Sequence, residues 1–208
     1  MVQKSEGRAR GRPRSYDPDR ALAAVRDAFW QNGFSATSLD DLSNATGMNR
    51  PSLYAAFGDK RALYLTTLKQ QAAGMTRATI AAMGLPGGLR AVMETFYLGA
   101  VRIYVGDDEN HRGCFLIGTA LTEATHDAEV REILQASFLQ MDALLGARLA
   151  RAVSDGELPA GTDVAALAFV AMSSLHGLAI RSRAGMARET LDGWAKAAAA
   201  MVCGQSSA

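Results

Sequence analysis

The sequence predicts an all-α protein. Apolar residues recur at three- and four-residue spacing along nearly the whole chain, no useful stretch alternates apolar with polar as a strand would, and helix-starting and helix-stopping residues punctuate it throughout. Its 208 residues, 49% hydrophobic and 21% charged, have the balance of a soluble globular protein able to bury a substantial core.

Asp17 caps and Pro18 opens a first helix whose Leu22, Val25 and Phe29 share one face, and Asn32-Gly33 stops it. Ser38 then precedes LDDL, with Asp41 three residues on in the manner of a capping box, and Gly47 ends this second helix. Asn49 caps a third helix in which Leu53 and Phe57, four apart, face inward. Asp59 begins a longer fourth helix running through Leu63, Tyr64 and Leu68 toward Met83. Beyond it, LPGG from Leu85 to Gly88 is a break. A fifth helix carries Val92, Phe96, Val101 and Tyr104, and GDDENHRG (106–113) reads as a polar, exposed loop. Further helices are expected over about 114–124, 128–153, 164–183 and 189–202.

The second and third helices are too short to persist alone, since isolated helices below about 12–15 residues are marginal in water. They must be held by the first and fourth, and two short helices joined by a glycine turn form a helix-turn-helix, which presents a surface rather than building a core. Charge points to a polyanionic partner. The net charge is only +1, but residues 1–61 carry ten Lys or Arg against seven Asp or Glu, with the excess at the extreme N-terminus. In RGRPR (10–14), Pro13 stiffens an extended arm from which Arg12 and Arg14 can enter a narrow minor groove.

The run FSATSLDDLSNATGMNRPSLYAAFGDKRALY resembles the DNA-binding segment of TetR/AcrR-type transcriptional regulators, with Gly33, Phe34, Thr37, Gly47, Leu53, Tyr54, Phe57, Lys60 and Leu63 matching the pattern. The match spans about residues 17–68, a quarter of the chain, and RGCFLIGTALTEA farther on is similar to a segment of many members. The resemblance implies a ligand-responsive repressor: a homodimer that binds an inverted-repeat operator through its N-terminal domain and a small molecule through its C-terminal one. The expected organisation is a basic arm (1–16), a three-helix helix-turn-helix DNA-binding domain (17–62) and a larger helical ligand-binding and dimerisation domain (63–208).

Spacing residues at 100° puts Leu53 and Phe57 on the buried side of the third helix and Pro51 and Ala55 opposite. Small outer residues let this helix approach the major-groove floor, where Pro51 and Ala55 can meet thymine methyls. Arg50 is the candidate for a guanine contact, flanked by Asn49 and Ser52, and Tyr54 for a phosphate contact through its hydroxyl. Thr37 and Ser38 at the second helix start, and Lys60 at the fourth, sit where positive helix ends attract phosphate.

The last two helices, 164–183 and 189–202, hold AALAFVAMSSLHGLA, apolar or small on nearly every face. One side can pack on its own domain while another seeks a second copy, so a two-fold homodimer is expected there. Such a dimer places two recognition helices one DNA turn apart. Candidate pocket residues are Met75, Phe96, Tyr104, Cys114, Phe115, Phe138, Met141, Met172 and, as a polar group, His176. The lack of clustered buried charge favours a neutral, mostly apolar effector.

Catalysis has little support: GxSxG, HExxH, phosphate-loop and dinucleotide motifs are missing, and His111, His126 and His176 lie apart. No metal or cofactor is expected. Cys114 and Cys203 form no CxxC pair, the longest apolar run falls short of a membrane span, and the arginine-rich N-terminus is unlike a secretory signal, all of which fit the cytoplasm and no membrane partner. Two alternatives stay open: a regulator sensing oxidants or electrophiles through Cys114, its thiolate favoured by His111 and Arg112, and a DNA-binding protein with no ligand.

Overall fold

The computed structural model describes residues 17–204; the expected basic arm, with Arg12 and Arg14, lies outside them. Within them the chain is all-α: α1 (Pro18–Ala36), α2 (Leu39–Thr46), α3 (Arg50–Phe57), α4 (Lys60–Met83), α5 (Leu89–Val105), α6 (Phe115–Glu123), α7 (Ala128–Ser154), α8 (Val164–Arg183) and α9 (Arg188–Val202).

Local chemistry sets the boundaries. Asp17 accepts the backbone N–H groups of Asp19 and Arg20, Asn49 that of Ser52 at 2.9 Å, and Asp59 that of Ala62 at 2.7 Å. Ser38 and Asp41 form the reciprocal capping box, a device worth about 1 kcal/mol. Gly47 ends α2 with φ 67°, a left-handed conformation that costs glycine nothing. Gly33 (φ 78°) breaks α1 where a stop was expected, and the residues through Ala36 turn away beyond it.

The first three helices and the start of α4 enclose Val25, Phe29, Leu42, Leu53, Leu63 and Tyr64. Each such apolar side chain contributes about 1.5–3 kcal/mol on burial, so packing rather than propensity holds α2 and α3. The larger bundle pairs α5 with α8 and α9, and α7 with α4 and α8, around Val92, Met93, Tyr97, Leu145, Leu149 and Leu191. At its far end Glu157 accepts the backbone N–H of Leu89 and pairs with the buried Arg148 at 3.3 Å. The expected boundary after residue 62 falls inside α4, which runs unbroken through both units.

Two features depart from expectation. Only the first half of the 106–113 loop is a solvent-facing polar turn. Gly113 is buried against α8, where an added Cβ would lie 2.7 Å from the Ala179 carbonyl oxygen. α8 is also long and apolar enough, by length and composition, to cross a membrane, although its longest unbroken apolar run, VAALAFVAM (164–172), is far shorter than a span. One side of it packs on its own bundle, and the other exposes Phe169, Val170 and Ile180.

Candidate nucleic-acid interface and internal cavity

α3 is offered to solvent by the Gly47 turn. Thr46 Oγ1 donates to the Leu42 carbonyl (2.7 Å) and accepts from Met48 N–H (3.3 Å), while Met48 is buried, so the two short helices are joined rigidly. Leu53 anchors α3 inward and leaves Asn49, Arg50, Pro51, Ser52, Tyr54 and Ala55 exposed on one continuous surface. Two of these polar groups already have partners. The Asn49 side chain caps α3, and the Arg50 guanidinium makes a two-pronged pair with Asp40 of α2, Nε to Oδ1 at 2.8 Å. Sequence reasoning missed Asp40, which holds the Arg50 guanidinium, the expected guanine reader, against α2.

The phosphate candidates at the helix starts need correction. Thr37 is buried and its hydroxyl donates to the Gly33 carbonyl at 2.6 Å, so it locks the bend after α1. Ser38 is exposed, but its hydroxyl proton goes to Asp41 Oδ2 at 2.7 Å. Those bonds to Ser38 hold the Asp41 carboxyl below its usual range, so a carboxylate already occupies the α2 N-terminus. Lys60 is tied less firmly: its ammonium sits 4.4 Å from the Phe34 ring centroid, a cation–π contact, and donates to the Ser35 carbonyl at a long 3.5 Å.

Behind this unit lies a cavity of about 280 Å³. It exists because small residues face one another where two helices pass: Gly74, Ala78 and Ala82 on α4, Gly99 and Ala100 on α5. A Cβ added at Gly99 would meet nothing within 4 Å. Met75, Phe96, Tyr104, Cys114, Phe115 and Met141 line the space, as do Thr79 and Leu175. Its mouth lies between exposed Ala78, Thr95, Gly99 and Ile103 and half-buried Gln71. Three expected wall residues are elsewhere. The Phe138 and His176 rings meet at a 45° tilt, 5.1 Å apart, between α7 and α8, and Met172 is buried in the core, because these helices turn those faces away from α4 and α5. Burial lowers the pKa of His176.

Sequence reasoning missed Trp30, the wall residue that α1 supplies. Its indole N–H is shared between the Arg112 and Gly113 carbonyls at 3.2 Å, and its ring meets Phe115 edge-on at 5.8 Å. The four-residue repeat Gly74, Ala78, Ala82 was the available signal for the groove; nothing local marked Trp30.

Cys114 also differs from expectation. It is buried in the wall, and burial pushes its thiol pKa up. Arg112, expected to favour a thiolate, instead lies over the Trp30 ring and pairs with Asp27 at 3.0 Å. The electrostatic ground for a reactive Cys114 is therefore lost.

α6 and α4 connect cavity and surface. Phe115 in the wall begins α6, whose Thr119 hydroxyl lies 3.0 Å from the Tyr64 hydroxyl and whose Glu123 accepts from Ser35 at 2.9 Å. Arg61 reaches α7, with Nε 2.6 Å from Asp127 and a terminal nitrogen 3.1 Å from Glu129.

An exposed recognition helix behind a glycine turn, carried by a helical body, defines a helix-turn-helix DNA-binding regulator. Comparison with known proteins gives the family. Residues 21–67 match the model of bacterial regulatory proteins of the tetR family, and residues 86–198 match the tetracyclin repressor-like C-terminal domain. The chain belongs to the TetR family of transcriptional regulators, a family of regulators rather than enzymes. It is 28% identical over 185 residues to the HTH-type transcriptional repressor ComR of Escherichia coli K12, covering 88% of each chain. It is 30% identical over 159 residues to the HTH-type transcriptional regulator YezE of Bacillus subtilis 168, covering 76% of this chain and 81% of YezE. A cysteine mutant of the TetR family regulator CifR, solved with 26-base-pair double-strand operator DNA, superposes with a TM-score of 0.81 at 31% identity, over 90% of this chain and 98% of that one.

Proposed function

We propose that this protein is a repressor that binds an inverted-repeat operator as a homodimer and is released by a small, mostly apolar effector held in the α4–α5 cavity. The observation that carries the reading is the continuity of α4. Lys60 borders the recognition surface at one end, and Met75, Ala78 and Thr79 form cavity wall farther along the same helix. A ligand that displaces α4 changes the position of α3, and in a dimer it changes the separation of two recognition helices that must fit one DNA turn apart. The ligand and the operator then bind two states with opposite preference, and each weakens the other by the same factor. ComR and CifR, named as a repressor and as a regulator in complex with operator DNA, support the DNA half of the reading.

Exposed Phe169, Val170 and Ile180 on α8, with Trp194 and Met201 on α9, supply the dimer face. Phe169, Ser173 and Ile180 lie along one stripe of α8, and an apolar patch of this kind marks a protein interface. The working units are then the arm, with Arg12 and Arg14 in the minor groove, residues 17–62 on the major groove, and residues 63–208 for ligand and dimer contacts. A place beside genomic DNA, in the cytoplasm, goes with this function.

Footprinting on DNA upstream of the gene tests the proposal. Protection of an inverted repeat with half-site centres about 34–36 Å apart is expected; a protected direct repeat, or no protected site, overturns it.

A further inference from the structure

The described residues contain three buried tyrosines, and their hydroxyls differ in one respect. Tyr64 is hydrogen-bonded to Thr119 at 3.0 Å, and Tyr97 donates to the Ala171 carbonyl at 2.8 Å. Tyr104 is 6% exposed, borders the cavity, and makes no hydrogen bond to another described residue. Its hydroxyl is not sealed in protein but keeps accessible surface where the residue lines the cavity, so it can bond a group that enters there.

The other polar groups of the wall are engaged or near the mouth. Thr79 donates to Met141 Sδ at 3.4 Å, Thr95 to the Ala91 carbonyl at 2.8 Å, and the Trp30 indole to loop carbonyls. Cys114 Sγ faces Met75 Sδ at 4.0 Å, and the Gln71 amide sits half-buried at the entrance. Among the described residues, no Lys, Arg, Asp, Glu or His lines the cavity.

We propose that Tyr104 is the polar anchor of the cavity, donating its phenol proton to one uncharged oxygen, of the carbonyl class, on an otherwise apolar and aromatic-sized effector. The inference rests on the effector reading above and names the ligand class for that site. Burial raises the Tyr104 pKa, so the phenol stays protonated and acts as a donor. Phe96, Phe115 and Trp30 provide flat apolar walls. An anionic ligand group would leave water and meet no cation, which a site of this composition disfavours strongly.

The test uses three probes of similar shape: propiophenone, propylbenzene and 3-phenylpropanoate. Their affinity for the full chain is read from thermal melts across concentration and from release of operator DNA. Propiophenone is expected to bind most tightly and 3-phenylpropanoate least. Tyr104→Phe, which keeps the ring, should weaken propiophenone about three- to tenfold while leaving propylbenzene unchanged. Gly99→Trp should fill the cavity and abolish binding of all three; helical content and a cooperative thermal melt like that of wild type are its folding control, and Gly99→Leu replaces it if the larger side chain fails that control. If Gly99→Trp blocks binding but Tyr104→Phe holds propiophenone as tightly as wild type, the anchor is overturned and the cavity stands. Tightest binding by 3-phenylpropanoate overturns the uncharged class. If no probe binds wild type, or binding survives a filled cavity, both the anchor and the effector reading fall.

Discussion

The Arg183 guanidinium donates to the Trp30 carbonyl at 3.0 Å, tying the last turn of α8 to α1. The same nitrogen reaches the Arg112 carbonyl at 2.9 Å, whose oxygen also accepts the Trp30 indole N–H. Since Trp30 lines the cavity, a ligand pressing on its ring, under the proposed function, would act on α1 directly, in parallel with α4. Arg183→Ala is expected to cost about 1–2 kcal/mol, lowering the melting temperature by a few degrees. It should also reduce the factor by which propiophenone weakens operator binding. An unchanged factor in anisotropy titrations would leave α4 as the sole route.

Asp40 and Arg50 yield a prediction about specificity. Arg50→Ala should lose discrimination by about 1–3 kcal/mol at one base pair per half-site. Lys60→Ala should weaken all sequences alike and reduce the salt slope by about one. Asp40→Asn removes the carboxylate that holds Arg50 and should tighten binding to cognate and random DNA together. Titrations at several salt concentrations separate the three outcomes.

The Arg61 contacts make the join between α4 and α7 sensitive to acid. Hydrogen bonding to Arg61 lowers the Asp127 carboxyl from 3.8 to about 2. Because the folded-state pKa is depressed, the stabilisation is present above the unfolded-state value and is lost as pH falls through about 2. Wild-type stability should therefore decline between about pH 4 and pH 2, and Asp127→Asn should flatten part of that decline. Chemical denaturation at stepped pH measures the difference, and parallel curves would contradict it.

Phe169 is 66% exposed and Met201 is 73% exposed, values that a solvated face would rarely retain on neighbouring helices. Phe169→Glu combined with Met201→Glu is expected to give a monomer by light scattering. Its operator affinity should fall by at least about a hundredfold, since two linked half-site contacts become independent. A dimer of unchanged stability would move the interface off α8 and α9.

The helix boundaries and the recognition unit were legible in the sequence because their causes are local. Asp17, Ser38, Asn49 and Asp59 bond to amides two or three residues on, and Gly47 supplies a left-handed turn that any reader of the chain can locate. Wall residues with the right chemistry, such as Phe96 and Tyr104, were legible too, as large apolar or aromatic groups on α5. Tertiary structure alone decided which faces meet. Phe138, Met172 and His176 have the same residue types as true wall residues but point between α7 and α8 or into the core, while Gly99, with no side chain to notice, opens the cavity. Thr37 turned inward and Arg50 found Asp40 for the same reason. Trp30 meets the Arg112 and Gly113 carbonyls across more than eighty residues of chain, and no periodicity or cap carries information over that distance; the packing of α1 on α6 does.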